Sequence, residues 1–165
     1  MLKLGTSVQS VGSRGGVAKI CLNPNYTSDF SVNGDGWTGD TGIGVIIGNR
    51  DAIGGLNDNL GVRFAVGIPI ITRTLAAEVS SGCTYTYSLR VFVPTGNKDV
   101  TYISKLLIGG EEIIISTRAI ATNTWTLFTG TFTASETLTS FGIEFNAGST
   151  SSELVYLREI TLSLL

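Results

Sequence analysis

Apolar and polar residues alternate strictly along Cys83–Pro94, and this segment sets the pattern for the rest of the chain. One set of alternate positions is apolar or aromatic, whereas the intervening positions are mostly Thr, Ser and Arg. Such alternation is typical of a strand with one face in a core, and aromatic and β-branched residues suit that environment. The pattern predicts a central strand of an all-β domain that ends at Pro94, which cannot donate a ladder hydrogen bond.

Similar segments recur along the chain without the alternation of strands and helices that marks an α/β fold. About ten strands at intervals of roughly 8–12 residues favour a β-sandwich or barrel, and the length and mixed loops favour a jelly roll. Ile70–Val79 is ambiguous, since its centre could also form one helical turn. Besides Cys83–Pro94, the predicted strands include Asp29–Val32, Ile43–Ile47, Leu60–Ile68, Asp99–Ile108, Glu111–Thr117, Thr124–Ala134, Leu138–Asn146 and Leu154–Leu165.

Parity within these strands predicts the residues that fill the core. In Leu154–Leu165 one face should hold Leu154, Tyr156, Ile160, Leu162 and Leu164. The predicted core of the other strands consists of Tyr85, Tyr87, Leu89, Val91, Trp125, Phe141, Ile143 and Phe145.

The segment Thr124–Ala134 conflicts with a single buried face. Trp125 and Leu127 fall on one parity, whereas Phe128 and Phe132 fall on the other. One face can hold all four side chains only if the register slips by one residue, so we expect a β-bulge near Leu127–Gly130.

Length and charge narrow the functional classes. The 165 residues suit one domain, and the net charge of −2 with scattered Lys and Arg argues against nucleic-acid binding. No apolar run reaches the ~20 residues of a membrane span, and the N-terminus lacks a signal-peptide pattern, so we expect no membrane association and synthesis in a cytoplasm. Cys21 and Cys83 lack metal-ligand spacing. We expect two buried free thiols, since both cysteines lie in apolar strand patterns, and a disulfide between them is the alternative.

No residue cluster predicts a reaction. The sequence has no His, which removes the usual general base. Gly34, Gly36 and Gly39 match a nucleotide-binding spacing, but a β pattern follows them where that motif requires a helix. We therefore expect a non-enzymatic protein without catalytic residues, cofactor-binding residues or metal ligands.

Four stretches resemble the jelly rolls of carbohydrate-binding modules in the galactose-binding-like class. They are NPNYTSDFSVNGDGWT, CTYTYSLRVFV, NTWTLFTGTFTA and LVYLREITLSLL, and they occur in the order found in that family. The resemblance implies a jelly roll over residues 23–165, with Trp37 and Trp125 as core residues rather than ligand platforms. It also implies an alternative function as a module that recognises cell-surface glycans, and it leaves a structural calcium ion as an open alternative, since related modules often hold one. Glycan-facing loop residues would then be Asp35, Asp40, Arg50, Asn57 and Asp58.

The first 22 residues resemble short segments that begin some bacteriophage virion proteins. The matching positions are Leu4-Gly5, Val8, Val11-Gly12-Ser13, Val17, Lys19 and Leu22. The resemblance favours a structural protein of the virion, either a capsid decoration or a tail-associated adaptor, with other virion proteins as partners.

Residues 1–22 form a predicted β arm for attachment or oligomerisation. A hairpin of this size is marginal alone in water and needs a covering surface. The arm either pads its own sandwich or packs on a neighbouring copy or on the particle, and we favour the second interpretation and a homo-oligomer. The partner-binding candidates are Leu2, Leu4, Val8, Val17, Ile20 and Leu22.

A truncated chain that starts at Asn23 tests the arm. We expect it to remain folded but to fail to assemble, as measured by circular dichroism and by light scattering coupled to size exclusion. Unfolding of the truncated monomer, or assembly equal to that of the full chain, would contradict the attachment role.

Overall fold

The structure is a computed structural model of the chain. It describes residues 10–11, 19–30, 34–39, 44–46, 60–64, 70–94, 100–108, 111–113, 123–147 and 153–165. The predicted alternation appears in these ranges as thirteen strands, and every described pairing between strands is antiparallel. The strands are β1 Ser10–Val11, β2 Lys19–Ile20, β3 Tyr26–Thr27, β4 Thr38–Gly39, β5 Gly44–Ile46, β6 Leu60–Phe64, β7 Ile70–Val79, β8 Thr84–Phe92, β9 Val100–Ile108, β10 Glu111–Ile113, β11 Thr126–Thr133, β12 Leu138–Ala147 and β13 Glu153–Leu164.

Two sheets form the sandwich. One has the strand order β10-β9-β12-β7-β4, and the other has the order β11-β8-β13-β6-β5, with β3 also paired to β13. β1 and β2 pair with each other outside these sheets. The all-β sandwich with a short N-terminal β arm is confirmed, and the ambiguous segment Ile70–Val79 is a strand of ten residues. β3 forms at Tyr26–Thr27. Of the predicted strand Asp29–Val32, Asp29 and Phe30 are not in a strand, and the other two residues lie outside the described part of the chain.

The side chains of β8 separate the core from the outer face of its sheet. Its odd positions point inward and are almost completely buried, whereas the even positions from Thr84 to Arg90 are half-buried. Six predicted core residues belong to the hydrophobic cluster between the sheets, and the side chain of Phe145 lies outside the described residues. The six are Tyr85, Tyr87, Leu89, Val91, Phe141 and Ile143.

The prediction of a bulge near Leu127–Gly130 is wrong. β11 pairs with β8 in unbroken register from Thr126 to Thr133. Phe128 and Phe132 point inward, with Gly130 between them opposite Tyr87. A Cβ at Gly130 would lie 2.6 Å from the Tyr87 phenol oxygen, so the missing side chain makes room for that ring. Because the strand does not slip, Trp125 and Leu127 lie on the opposite, outer face.

The bulge occurs instead in β13. The register against β8 shifts between Arg158 and Thr161. Before the shift Val155 and Leu157 face the core, and after it Ile160, Leu162 and Leu164 do. The predicted single face of this strand is therefore wrong for Tyr156, which lies on the outer face because it precedes the bulge.

Cys21 and Cys83 form a disulfide, which corrects the prediction of free thiols. Their Cα atoms are 5.8 Å apart, a normal spacing for a bridge. Nearby, the buried Tyr85 hydroxyl accepts a hydrogen bond from Ser80 N–H and donates one to the Leu22 carbonyl. The bridge and these bonds attach the end of the arm to the turn between β7 and β8.

Loss of the disulfide should destabilise the sandwich. It closes a loop across a sequence separation of 62, for which the chain-entropy model gives about 4 kcal/mol. Cys21→Ser should lower the midpoint of thermal unfolding by roughly 10 °C, measured by calorimetry. A reductant should lower the midpoint of the wild type but leave that of the variant unchanged; an unchanged wild type would contradict the bridge. Cys21→Ser is also the matched reference for the chain that starts at Asn23.

Candidate functional site

Three aromatic side chains gather on the outer face of the six-stranded sheet. Phe92 ends β8, and the ladder places it opposite Tyr156 of β13. Its ring centroid lies 5.4 Å from that of Trp125 and 6.4 Å from that of Tyr156. Phe92 and Tyr156 are buried outside the central core cluster, whereas Trp125 is half-buried. The three rings therefore belong to a site on the outer face of the sheet and not to the core between the sheets. The prediction of Trp125 as a core residue is wrong.

Two arginines and one glutamate border this group. Arg90 lies opposite Arg158 across the β8–β13 ladder. The Nε atom of Arg90 lies 2.6 Å from Oε2 of Glu159, and Nη2 of Arg158 contacts Oε1 of the same carboxylate. The Arg158 guanidinium also lies 5.4 Å from the centroid of the Trp125 ring, within the range of a cation–π contact.

The bulge in β13 brings Glu159 to the outer face. In a regular strand, neighbours such as Arg158 and Glu159 point to opposite faces, but here both side chains reach the same carboxylate–guanidinium cluster. Glu159 has φ 50°, a left-handed conformation that costs a non-glycine residue about 1–2 kcal/mol. The backbone on either side is fixed, since Arg158 pairs with Arg90 in the β8–β13 ladder before the bulge and Ile160 N–H donates to Ser28 Oγ after it.

The neighbouring guanidinium groups keep Glu159 ionised. Partial burial by itself would raise the pKa of this carboxyl, but the hydrogen bond from Arg90 and the charge of Arg158 outweigh it. The pKa of Glu159 is therefore lower than usual, and the side chain is a carboxylate at neutral pH. The cluster of two cations and one anion thus has a net charge of about +1.

Arg90, Trp125, Arg158 and Glu159 line an open cleft of about 100 Å³, which we name the Trp125 cleft. It is much smaller than the ~300–1,000 Å³ pockets that enclose drug-sized ligands. The cleft offers an indole ring beside hydrogen-bond donors and a carboxylate acceptor. The Trp125 indole N–H is itself buried and has no hydrogen-bond partner among the described residues, so it is not one of the donors offered to a ligand. This combination suits a ligand that has both an apolar face and hydroxyl groups.

A second concave region lies at the end of the arm. Lys19, Ile20, Leu22, Glu78, Ser80, Ser81 and Thr137 line a groove of about 500 Å³. Two predicted partner-binding residues are therefore together there, with Ile20 exposed and Leu22 half-buried. The other four, Leu2, Leu4, Val8 and Val17, lie outside the described residues, so the partner-binding role stays a prediction.

Asp35 is held by contacts within the protein. Its carboxylate accepts a 2.7 Å hydrogen bond from the Tyr26 hydroxyl and lies 3.0 Å from Nη1 of Arg73. The Trp37 indole donates to the same hydroxyl, and Trp37 is buried in the core as predicted. Burial, and then the bond to Asp35, raise the pKa of Tyr26. The other predicted glycan-facing residues, Asp40, Arg50, Asn57 and Asp58, lie outside the described residues.

Two other features, a metal-ligand cluster and a membrane-spanning helix, are absent from the described ranges. No group of three or more His, Cys, Asp or Glu side chains is placed there to hold a metal ion, so a structural calcium ion stays a prediction. Over the same ranges, no helix is long and apolar enough to cross a membrane.

Sequence reasoning missed the Trp125 cleft, although two signals pointed toward it. Phe92 places an aromatic ring at an outward position of β8, where the pattern otherwise has Thr, Ser and Arg. Trp125 and Leu127 share a parity opposite to that of Phe128 and Phe132. If Thr124–Ala134 is interpreted as an unbroken strand, its aromatic residues fall on both faces, and this interpretation predicts an aromatic group outside the core.

Comparison with known proteins identifies the fold. No protein-family model and no curated protein sequence matches the chain. Among solved structures, the C-terminal family 22 carbohydrate-binding module of Clostridium thermocellum xylanase 10B is similar, with a TM-score of 0.64 and 20% identity. The match covers 84% of this chain and 91% of that module.

Two further structures share the architecture. The N-terminal cellulose-binding domain of Cellulomonas fimi β-1,4-glucanase C gives a TM-score of 0.58 at 20% identity, covering 82% of this chain and 93% of that domain. The enzymatically active domain of bacteriophage CBA120 tailspike protein 4 gives 0.52 at 16% identity, covering 79% of this chain but 19% of that one. At these identities the similarity shows the fold alone, and the predicted carbohydrate-binding-module-like jelly roll is confirmed.

The backbone strain at Glu159 can be measured by comparing two substitutions. Glycine adopts φ 50° without steric cost, whereas alanine does not, and both remove the carboxylate. The Glu159→Gly variant should be more stable than Glu159→Ala by about 1 kcal/mol in urea unfolding. At an ordinary strand position the order is reversed, with glycine worse by roughly 0.5–1 kcal/mol. If Glu159→Ala is the more stable of the two variants, the strained conformation at residue 159 is contradicted.

Proposed function

We propose that this protein binds carbohydrate without turning it over, and that the Trp125 cleft contacts the sugar. The observation that carries the proposal is a half-buried tryptophan beside a hydrogen-bonded charge cluster on the open face of a sandwich. The C–H face of a pyranose is apolar and packs on an indole ring, while its hydroxyl groups exchange hydrogen bonds with guanidinium and carboxylate groups.

The fold supports this proposal by analogy. The similar xylan-binding and cellulose-binding modules hold polysaccharides on the same kind of sandwich. Because the Trp125 cleft is small, we infer that it contacts one sugar unit of a chain and leaves the neighbouring units on the surface. Binding at a single cleft should therefore be weak and fast, and several copies on one particle or cell surface would strengthen it.

A structural role in a phage virion stays a prediction. It rests on the resemblance of residues 1–22, and the phage tailspike among the similar structures shares the fold alone. The two roles are compatible, since a virion component can carry a glycan-binding domain. The disulfide favours a working place outside a reducing cytosol, which suits either role.

Binding can be tested with the purified, oxidised protein. We expect retarded migration in native gels containing soluble xylan, hydroxyethyl cellulose or bacterial surface polysaccharide, and no release of reducing ends. Trp125→Ala should abolish the retardation with little change in secondary structure, whereas Thr129→Ala, an exposed change on β11, should not affect it. Absence of binding to every glycan, or turnover lost with one carboxylate substitution, would overturn the proposal.

A further inference from the structure

If the Trp125 cleft binds glycans, as proposed above, the strained bulge at Glu159 affects which glycans it selects. A glycine or asparagine would adopt φ 50° at lower cost, yet a glutamate occupies the position, and its backbone is held by the Arg158–Arg90 ladder pair before it and by the bond from Ile160 N–H to Ser28 after it. Strained residues of this kind cluster at ligand sites, where the strain holds a side chain in place. We propose that Glu159 is the specificity-determining residue of the cleft, and that it selects neutral sugars with adjacent hydroxyl groups over sugars that carry a carboxylate.

The acceptor capacity of Glu159 supports a hydroxyl ligand. An ionised carboxylate has about four acceptor positions on its two oxygens. Arg90 occupies one position on Oε2, and Arg158 occupies one on Oε1. About two positions therefore remain, and the side chain is exposed enough, at 44% of its surface, for a ligand to reach them. Two adjacent sugar hydroxyls can donate to these positions.

Arg90 completes this arrangement. Its side chain is 38% exposed and a guanidinium has five N–H donors, so a hydroxyl that donates to Glu159 can accept a hydrogen bond from Arg90. A pair of adjacent hydroxyls would thus meet donors and an acceptor in alternation along the cleft. Such bonds involve charged groups and are about twice as strong as bonds between neutral groups.

The same cluster disfavours an acidic sugar. Glu159 already neutralises one of the two guanidinium charges, and its carboxylate would repel a second carboxylate in the cleft. A uronic acid carboxylate at the remaining Arg90 donors would lie beside the Glu159 carboxylate, and the repulsion between the two negative charges would oppose its binding. If the glutamate becomes neutral, the net charge of the cluster rises from +1 to +2, and that barrier disappears.

Glu159→Gln therefore provides a sharp test, because it keeps the side-chain shape and removes the charge. The full-length oxidised protein is titrated by calorimetry with cellohexaose and xylohexaose as neutral probes and with an oligogalacturonate as the acidic probe. The wild type should prefer the neutral probes. The variant should bind them about 10–100-fold more weakly, the range expected on losing a hydrogen bond to a charged acceptor. It should bind the acidic probe more tightly than the wild type does, and added salt should reduce that gain.

Two controls separate specificity from folding. Glu159→Gly should also lose the neutral probes while keeping the stability expected from relief of strain. Asn25→Gly relieves a left-handed backbone at φ 42° on the exposed surface and should leave binding unchanged. Loss of binding in this control would show that the changed backbone affects ligands indirectly, and would overturn the role of Glu159.

The remaining outcomes distinguish the inference from the proposed function. Wild-type binding of neutral glycans that persists in Glu159→Gln overturns the inference and leaves glycan binding intact. A wild type that prefers the acidic probe also overturns it. If the wild type binds no glycan, both the proposed function and the role of Glu159 in ligand specificity are overturned.

Discussion

The alternation of side chains along β8 is the constraint on which the rest of the sandwich depends. Tyr85, Tyr87, Leu89 and Val91 lose almost all contact with water because they face the five-stranded sheet. The two ladders beside β8 must match that alternation, since a slip of one residue would move every apolar side chain to the wrong face. β11 matches it along its whole length, and Gly130 accommodates the large phenol of Tyr87. β13 matches it in two parts joined by a bulge.

The division of β13 links packing to the proposed site. Each half of the strand supplies its own inward residues, so the core remains continuous across the register shift. The residues at the shift are released from the alternation, and Arg158 and Glu159 can act together on one face. A local irregularity in the ladder thus produces a charge cluster that two regular strands would not form at that position. Its backbone cost of about 1–2 kcal/mol is small beside the apolar burial on either side of it.

The alternation of β8 was predictable from sequence because both parities of Thr84–Phe92 are nearly uniform. The register of β13 was not, since Val155 and Leu157 compete with Leu154 and Tyr156 for the inward positions. A bulge resolves such a conflict, but the same conflict in β11 is resolved by leaving Trp125 and Leu127 outside. Parity alone does not distinguish these two solutions, because the register of each strand also depends on its pairing with the neighbouring strand. The cleft was missed for the same reason, because it depends on a non-local register and on a resemblance that assigned Trp125 to the core.

The disulfide also determines how the molecule would carry a mechanical load. Cys21 is bonded to Cys83 at the start of β8, and Leu165 N–H donates to the Thr84 carbonyl at the same end of the neighbouring β13. A tension applied between residues 21 and 165 would therefore pass through the bridge and bypass residues 22–82. The force would act on the adjacent ends of the antiparallel strands β8 and β13 and would break the hydrogen bonds between them one after another. In the oxidised protein the ladder between β8 and β13 would yield first, while the enclosed strands β3 to β7 would bear none of the force along their own chain.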